Sequence, residues 1–322
     1  MSNQMVVAPK NDEFKQLIDL VSNGKSENTR LAYSRALSDF QQWYDRQPAE
    51  YQVRYGLSRA SVMAYIDDLL EMNLSPATVN QRLAAIRALA RELHYADVGL
   101  FADKKHVDAI TEIKNIPARG IRTGYWLSEI QAKKLLLVPD PETLRGKQQL
   151  AIIALLMGCA LRREEAAELT VDMIQQRNSQ WVIANLEGKG NRVRTIPISP
   201  WALNIINNWQ HAAGISSGKM LRAVNKVDKL TGKMRTRSGK TTDGGVSSQA
   251  IYKIIKDLAI LADLPPTLGP HDLRRTWGKR AYQLHAPLDQ ISLILGHASI
   301  ATTEIYLGLR DLDLDTPVYV TY

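Results

Sequence analysis

The stretch His271-Asp-Leu-Arg274 is followed by Leu295-Gly-His297 and, nine residues further on, by Tyr306. A phosphodiester that is being cleaved carries negative charge on its non-bridging oxygens, and guanidinium and imidazole groups are suitable donors for that charge. A tyrosine hydroxyl can serve as the nucleophile of such a reaction. The order of these residues therefore predicts chemistry on a phosphodiester.

Two further motifs lie upstream of this stretch. One is Ala160-Leu-Arg-Arg-Glu-Glu165, and the other is Gly188-Lys-Gly-Asn-Arg-Val-Arg194. A lone His-x-x-Arg carries little information, whereas five elements in a fixed order form a specific pattern. The ordered set resembles the active site of the tyrosine recombinase (phage integrase) family, which includes the Xer, Cre and lambda-integrase type enzymes. The set consists of Arg162, Lys189, His271, Arg274, His297 and Tyr306.

The resemblance implies a role for each of these side chains. Tyr306 would attack phosphorus and form a 3′-phosphotyrosyl intermediate, while Arg162 and Arg274 would bind the non-bridging oxygens as planar, permanently charged forks. Lys189, on a predicted hairpin turn, would protonate the departing 5′-oxygen as the general acid. The resemblance implies no metal ion, no other cofactor and no ATP.

The roles of the two histidines are assigned less closely. The resemblance implies that His271 exchanges protons with the nucleophile or orients it, and that His297 donates to the phosphate. A buried structural histidine is the alternative for each. A zinc site is not expected, because the two residues are 26 positions apart, lack cysteine neighbours and show no recognised ligand spacing.

Some neighbouring residues compete with the chosen ones. Tyr319 and Tyr322 are the fallback candidates for the nucleophile. Arg163 competes with Arg162, but the family pattern has an arginine directly after a leucine and three residues before a glutamate. That pattern selects Arg162 and makes Glu165 its structural partner.

The chain departs from the common family pattern at two places. Many relatives have a second histidine after the His-x-x-Arg motif, where this chain has Arg275, which would buttress the site or contact DNA. The frequent Thr-Gly before the first arginine is replaced by Cys159-Ala160. We interpret this replacement as a change in packing that leaves the chemistry intact.

Hydrophobic periodicity predicts mostly helices. The segment Ser26 to Tyr33 also resembles the opening of the recombinase core-binding domain. Trp181 to Leu186 and Arg192 to Ile198 read as two strands joined by a tight turn. The main predicted helices are about Ser26 to Tyr44, Ser58 to Met72, Ser75 to Leu93, Gln148 to Leu156, Ser199 to His211 and Ser247 to Ala262.

These elements predict two domains. Residues 1–115 would form a helical core-binding (SAM-like) DNA-binding domain, 116–125 a linker, and 126–322 a catalytic domain with a C-terminal tail. The expected fold is mainly α with a small antiparallel β-sheet in the catalytic domain. The resemblance implies that the two domains form a C-shaped clamp around DNA.

The composition fits a protein that binds a polyanion. The 322 residues carry a formal net charge of +8, and residues 123–322 hold 25 basic and 18 acidic side chains. One cysteine, Cys159, excludes an intramolecular disulfide framework and fits a reducing compartment. No signal peptide or membrane-spanning stretch is expected, so we predict a cytoplasmic protein.

The segment Gly218 to Gly245 holds eight basic residues and two acids, Asp228 and Asp243. It reads as an extended basic loop that contacts DNA phosphates, with a solvated, mobile insertion as the alternative. Basic residues of the linker, the hairpin and the first helix are further candidates. The full set of predicted DNA contacts is Arg30, Lys114, Arg119, Arg122, Arg192, Arg194, Lys226, Lys229, Lys233, Arg235, Arg237, Lys240 and Arg275.

The resemblance implies site-specific recombination of double-stranded DNA at inverted-repeat sites by a homotetramer that joins two sites. The C-terminal tail would pass to a neighbouring protomer, with a frayed terminus as the alternative, and an accessory DNA-bending or directionality protein is a possible partner. Integration, cointegrate resolution and dimer resolution all remain open as the biological task. A type IB topoisomerase and a DNA-binding regulator without catalysis are the competing functions.

Overall fold

The chain divides into two compact units, residues 1–121 and 122–322, and each unit has its own hydrophobic core. The computed structural model describes residues 16, 18–21, 23–96, 103–117, 124–188, 193–232, 234–235, 241–242 and 244–309. Within these ranges, none of the helices combines the length and the apolar character needed to cross a bilayer.

Serine side chains mark three helix starts in the first unit. Ser26, Ser58 and Ser75 each accept a hydrogen bond from the backbone N–H three residues on, which satisfies one of the free donors at a helix start. The helices predicted to begin at these residues are confirmed. The unit contains α1 (Glu27–Asp45), α2 (Ala49–Tyr55), α3 (Arg59–Glu71), α4 (Pro76–Tyr95) and α5 (Lys104–Thr111).

Aromatic side chains occupy the core of the first unit. The ring of Phe40 lies 5.0 Å from the ring of Tyr65 in an edge-on arrangement and 5.9 Å from the ring of Trp43. Leu37 and Leu83 belong to the same buried cluster. Because large rings remove much apolar surface from water, this cluster gives the unit a core of its own.

The sequence does not predict α2 and α5. These helices have seven and eight residues, so each spans about two turns and shows too few apolar positions for a periodic pattern. Their starts are marked by Pro48 and by Asp103, whose carboxylate accepts from the N–H of Lys105. A local capping pattern would therefore have found α5, whereas periodicity could not.

The second unit begins with three α-helices and a buried π-helical turn. The helices are α6 (Glu129–Leu137), α7 (Leu144–Ile153) and α8 (Arg163–Glu168). Between α7 and α8 lies one π-helical turn, Ala154–Gly158, in the centre of the core. Single π-turns inside helices often occur at functional sites, and this one leads directly into the Cys159-Ala160-Leu161-Arg162 segment.

A three-stranded antiparallel sheet follows, with strand order β1-β2-β3: β1 (Ile174–Arg177), β2 (Gln180–Glu187) and β3 (Val193–Pro197). The predicted hairpin of β2 and β3 is confirmed, and Ile183 pairs with Ile196 across it. The sequence misses β1 because its residues are mostly polar and do not alternate. Asn178 and Ser179, both with positive φ, connect β1 to β2 as a two-residue hairpin turn.

The remaining helices complete the core and carry most of the candidate site. The rings and aliphatic chains of Trp209, Ile251, Ile255 and Leu273 are fully buried in one cluster with the π-helical turn. The helices are α9 (Pro200–Ala212), α10 (Ser248–Leu261), α11 (Pro270–Gln283), α12 (Leu288–Leu295) and α13 (Ile300–Leu307).

The prediction of an extended loop over Gly218 to Gly245 is wrong for its first part. Met220 and Leu221 are fully buried, and the indole of Trp209 donates to the carbonyl of Met220 at 2.9 Å. Asp228 accepts from the backbone N–H groups of Leu144 and Arg145, both at 2.8 Å. Because charged residues are frequent in this segment, its sequence reads as a loop. The burial of Met220 and Leu221 and the capping of α7 by Asp228 were therefore not predicted. Two short strands, β4 (Met234–Arg235) and β5 (Thr241–Thr242), also pair in this segment.

Candidate active site

Tyr306 is buried in the second unit, with 9% of its surface exposed. Its hydroxyl donates to the carbonyl oxygen of His271 at 3.3 Å. The rings of His271 and His297 both approach the Tyr306 ring edge-on, with centroid distances of 5.3 and 5.0 Å. The helix α13 that carries Tyr306 is closed by Gly308 in the left-handed region. The phenol therefore lies between the start of α11 and the segment that follows α12.

Arg274 lies beneath this phenol and is 1% exposed. Its two terminal nitrogens donate to the carbonyl oxygens of Ala160 and Leu295. Its Nε is buried and has no hydrogen-bond partner in the described part of the chain. Burial lowers the pKa of Arg274 to about 10, and the charge of Arg162 acts in the same direction. The guanidinium remains charged at neutral pH, and its Nε is a donor without an acceptor among the described residues.

Arg162 reaches the same point from the start of α8. Its Nη2 donates to the carbonyl oxygens of Leu295 at 3.1 Å and Gly296 at 3.3 Å. The carbonyl of Leu295 thus accepts from both Arg162 and Arg274. Arg163, the competing arginine, instead pairs with Glu164 at 2.7 Å and lies over the ring of Tyr252. The structure therefore places Arg162, and not its neighbour, beside Arg274.

Glu165 contacts the arginine side chains of this cluster. Its carboxylate accepts from the Arg162 backbone N–H at 2.8 Å and from the Arg162 guanidinium at 2.7 Å. The Nη1 of Arg274 lies 3.7 Å away. Burial tends to raise the pKa of Glu165, but hydrogen bonds from Arg194 and Arg162 outweigh it and hold this pKa below its usual range. Glu165 is therefore the charged structural partner that the sequence predicted.

Arg194 does not fit the prediction of a DNA contact. Its side chain is 5% exposed, and its Nη1 and Nη2 donate to the two oxygens of Glu165 at 3.0 and 2.8 Å. Its Nε donates to the carbonyl of Ile294 at 2.9 Å. Because the side chain is buried and each of its three nitrogens donates to a protein acceptor, the guanidinium is not exposed for contact with a phosphate. The alternation of β3 could have revealed this, because Arg194 shares the buried face with Ile196.

His271 occupies the second position of α11 and remains exposed to solvent. Crowding by protein atoms lowers its pKa, and the positive charges of Arg275 and Arg274 act in the same direction. The neutral ring is therefore favoured at neutral pH. A neutral imidazole beside a phenol can accept a proton, which is compatible with either role that the sequence left open.

His297 lies two residues after α12, whose C-cap is Gly296 in the left-handed region with φ of 57°. Its Nδ1 lies 2.9 Å from the hydroxyl of Thr303. Burial and the charges of Arg274 and Arg162 lower the pKa of His297 to about 4, so the ring is neutral at pH 7. In the tautomer in which the Thr303 hydroxyl donates to Nδ1, the neutral ring carries its proton on Nε2, which is then a donor.

The sequence did not single out Thr303. It is fully buried on α13, and it lies three residues before Tyr306. Residues three apart on a helix share a face, so the spacing from Tyr306 could have indicated a second functional position. Thr303 links the orientation of the His297 ring to the helix that carries Tyr306.

The phenol of Tyr306 is held in its protonated form in this state. Burial raises its pKa, and the charges of Arg274 and Arg275 oppose that shift, while Asp272 adds to it. A protonated phenol is a weak nucleophile, so cations and a proton acceptor must favour the phenolate during attack. The cluster contains both kinds of group.

Several predicted residues lie outside the described part of the chain. Lys189 falls in the segment between β2 and β3, so its position relative to Tyr306 stays a prediction. The same holds for the C-terminal tail with Tyr319 and Tyr322. The other predicted residues that lie outside the described ranges are Arg119, Arg122, Arg192, Lys233, Arg237 and Lys240.

Four predicted DNA contacts are on the surface of their units. Arg30 and Lys114 are exposed in the first unit, and Lys226 and Lys229 are exposed in the second. Exposure leaves their charges accessible to a phosphate backbone, and DNA contact stays a prediction for each. The backbone of Arg235 pairs with that of Thr241 in the short β4–β5 ladder.

The arrangement can bind an oxyanion next to a nucleophile. Two guanidinium groups meet at the carbonyl of Leu295, the neutral imidazole of His297 contacts the Tyr306 ring, and one buried donor of Arg274 lacks a partner among the described residues. Preorganised donors of this kind stabilise charge that develops on phosphoryl oxygens. Among the described residues, no group of three or more His, Cys, Asp or Glu side chains is arranged to hold a metal ion.

Comparison with protein families gives two matches. Residues 125–312 match the phage integrase family, and residues 14–100 match the phage integrase N-terminal SAM-like domain. The chain is also similar to tyrosine recombinase XerD of Vibrio cholerae, with 26% identity over 308 residues, which cover 93% of this chain and 92% of the relative.

Two solved structures share the fold. The XerH site-specific recombinase bound to a palindromic difH substrate has a TM-score of 0.65 and 18% identity, and the match covers 92% of this chain and 80% of that one. A lambda integrase dimer bound to a COC′ core site has a TM-score of 0.67 and 13% identity, with coverage of 96% and 99%. The predicted mainly helical fold with a small antiparallel sheet is confirmed.

Proposed function

The chain belongs to the phage integrase family, and from this premise we propose that it is a site-specific recombinase that cleaves and rejoins DNA through a covalent bond to Tyr306. The observation that carries the proposal is the cluster of Arg274, His271 and His297 around the phenol of Tyr306, with Arg162 donating to the same Leu295 carbonyl as Arg274. The recombinase–DNA complexes among the structural relatives support DNA as the substrate.

In the proposed reaction, Tyr306 Oη attacks phosphorus and forms a 3′-phosphotyrosyl bond, while the bond from phosphorus to the 5′-oxygen breaks. Arg274 and Arg162 bind the non-bridging oxygens, and the buried Nε of Arg274 supplies one donor to them. His271 accepts the phenol proton and His297 donates to the phosphate from Nε2. Lys189 delivers a proton to the 5′-oxygen as general acid.

The covalent intermediate makes strand exchange possible without ATP. The phosphotyrosyl bond keeps the energy of the phosphodiester that was broken. A 5′-hydroxyl from a second DNA strand can therefore attack it, which releases Tyr306 and restores a phosphodiester. The residues proposed for these steps need neither a metal ion nor another cofactor.

The proposal extends to the assembly of protomers on DNA and to the location of the protein in the cell. A homotetramer joins two sites with inverted repeats, and the C-terminal tail after Arg310 passes to a neighbouring protomer. Deletion of that tail is expected to abolish cooperative assembly while single protomers still bind DNA. An accessory DNA-bending protein and a cytoplasmic location belong to the same proposal. The biological task could be integration and excision, or the resolution of cointegrates or dimers.

The test is a covalent adduct on a suicide substrate. The substrate would be a nicked duplex built from inverted repeats flanking the gene, and the adduct would be detected by denaturing electrophoresis. The wild-type chain should form an adduct, and Tyr306→Phe should form none. Tyr282→Phe, which alters an exposed tyrosine of α11, is the matched control and should react as the wild type does.

Other outcomes identify the competing functions. An adduct from Tyr306→Phe would remove Tyr306 from the mechanism. Relaxation of supercoiled DNA without a specific site would favour a type IB topoisomerase. Site-specific binding with no adduct on any substrate would favour a regulator that has lost catalysis.

A further inference from the structure

Arg275 makes two contacts with the residue proposed as nucleophile. Its Nε donates to the backbone carbonyl oxygen of Tyr306 at 3.0 Å. Its guanidinium carbon lies 4.6 Å from the centre of the Tyr306 ring, within the distance of a cation–π interaction. One side chain thus fixes both the backbone and the ring of Tyr306.

Gly124 makes room for this guanidinium. A Cβ built on Gly124 would lie 1.1 Å from Nη1 and 2.3 Å from Cζ of Arg275. Only a residue without a side chain leaves that space empty. Arg275 is therefore held between the backbone of Gly124 on one side and Tyr306 on the other.

The charged and titratable groups around Tyr306 come from α11 and from the segment that follows α12. From α11 these groups are His271, Asp272, Arg274 and Arg275, and the segment after α12 adds His297. Arg274 uses its terminal nitrogens on the carbonyls of Ala160 and Leu295. Arg275 is the cation whose plane lies over the ring, where the negative charge of a phenolate spreads.

We propose that Arg275 is a positioning residue for the nucleophile: it fixes the backbone and ring of Tyr306, and its permanent charge favours the phenolate during attack on DNA. This inference rests on the proposed function. A histidine at this position would not carry a permanent charge at neutral pH, and a lysine could not place a planar fork over a ring. The chain therefore uses its departure from the family pattern to activate Tyr306.

The experiment measures single-turnover cleavage of the suicide substrate from pH 6 to pH 9.5. The proteins are the wild type, Arg275→Gln, Arg275→Lys, Gly124→Ala and the control Arg280→Gln. Arg280 is an exposed cation of the same helix, 3.6 Å from Glu129. DNA affinity at several salt concentrations is measured in parallel. Gly124→Ala displaces the guanidinium while it keeps every charge, and the φ of Gly124 is not in the left-handed region.

We expect Arg275→Gln to move the rising limb of the pH–rate profile upward by about one pH unit, because an opposite charge at this distance lowers the pKa of an acid by one unit or more. At pH 7 the cleavage rate should fall about tenfold, which is the effect of one pH unit on the phenolate fraction. Arg275→Lys should keep the position of the limb but react more slowly at every pH. Gly124→Ala should also react more slowly, and Arg280→Gln should match the wild type.

Two results would overturn the inference. One is a wild-type pH–rate profile for Arg275→Gln. The other is a loss of DNA affinity in Arg275→Gln with a salt slope reduced by about 0.9, which would make Arg275 a phosphate contact. If Arg275→Gln does not fold, wild-type rates for both Arg275→Lys and Gly124→Ala would reject the inference instead. Absence of any adduct from the wild type would reject the proposed function and is therefore distinguishable.

Discussion

Ala160 occupies a position that usually requires glycine. Its φ of 54° lies in the left-handed region, and its carbonyl accepts from the buried Arg274. A left-handed alanine costs about 1–2 kcal/mol. Its methyl group is fully buried beside Tyr306 and Leu307, and burial of one such group contributes about 0.8 kcal/mol. The second effect offsets much of the first, which explains how the fold tolerates alanine in this conformation.

This balance predicts different outcomes for two substitutions at the same position. Ala160→Gly should change the free energy of unfolding by less than about 1 kcal/mol, because relief of strain offsets the lost methyl group and the greater freedom of the unfolded chain. Ala160→Val should lower it by more than about 2 kcal/mol, since a β-branched residue is a severe outlier in the left-handed region. Urea denaturation of both variants would measure this, and equal losses would contradict the prediction.

His297 gives the molecule a stability that depends on pH. Its pKa is about 4 in the folded protein, against an ordinary value of about 6.5 in an unfolded chain. As the pH falls from about 6.5 to about 4, the unfolded chain takes up a proton at this residue and the folded chain does not. The folded state therefore loses stability over that range, and the loss is absent above pH 6.5.

We expect His297→Gln to flatten this dependence. Between pH 7 and pH 4.5 the wild type should lose about 1–2 kcal/mol more than the variant, once the partial exposure of the ring is allowed for. Urea denaturation at the two pH values would measure the difference. The control His211→Gln alters an exposed histidine of α9, and it should behave as the wild type does. Parallel pH dependence of the wild type and His297→Gln would count against a neutral, buried ring.

At the scale of elements, the sequence predicted the helices and strands that show hydrophobic periodicity or a capping residue. The helices begun by Ser26, Ser58 and Ser75, and the hairpin of β2 and β3, follow from local signals. β1 was missed because its residues are polar and it is held in the sheet by a turn and by backbone pairing. The residues Met220 and Leu221 were missed because burial depends on tertiary packing, which charge composition does not report.

The candidate site was predictable as a set of residues but not as an arrangement. The order of motifs selected the arginines, histidines and Tyr306 before any geometry was known. The contact of Thr303 with His297 and the burial of Arg194 depend on how α8, β3, α12 and α13 pack together. The two contacts of Arg194 join residues that are 29 and 100 positions apart in the chain. Sequence spacing within one element cannot predict such contacts.

Arg194 connects three of these elements. It bridges β3 to Glu165 on α8 and to the carbonyl of Ile294 on α12. We expect Arg194→Met to lower the free energy of unfolding by about 3 kcal/mol, because removing one partner leaves the buried carboxylate of Glu165 partly uncompensated. Chemical denaturation would measure the loss. Arg177→Met, at an exposed position of β1, is the control and should have little effect.

A DNA-contact role for Arg194 would give a different result. In that case Arg194→Met would keep the stability of the wild type, and the salt slope of DNA binding would fall by about 0.9. Stability and salt slope therefore separate the two roles in one set of measurements. An unchanged free energy of unfolding in Arg194→Met would contradict the role of Arg194 in holding β3, α8 and α12 together.

At the scale of the whole molecule, charge is distributed unevenly. Residues 123–322 carry most of the formal net charge, with 25 basic and 18 acidic side chains. Not all of these cations are available to DNA. Lys219 pairs with Glu168, and Arg222 donates to the carbonyl of Ser217 at 2.8 Å, whereas Lys226 and Lys229 are exposed. The structure therefore leaves fewer basic residues of this segment as candidates for contact with DNA.

The contribution of this segment should be tested by substitution and not by deletion. Removing Gly218 to Gly245 would take away the buried Met220 and Leu221 and the cap that Asp228 gives to α7, so the second unit would lose stability. The double variant Lys226→Gln/Lys229→Gln removes two charges and leaves those contacts in place. Its thermal unfolding should match that of the wild type, since both side chains are exposed.

DNA binding by this double variant should weaken, and its salt dependence should become shallower. Each lysine that neutralises a phosphate releases counterions and adds about 0.9 to the slope of log affinity against log salt, so two contacts would reduce the slope by about 1.8. The loss should be similar for specific and unrelated DNA, because phosphate contacts carry no base information. Lys133→Gln/Arg177→Gln removes the same charge from exposed positions elsewhere in the unit. Equal slopes for the two double variants would mean that the basic segment acts only through net charge and makes no local contact with the backbone.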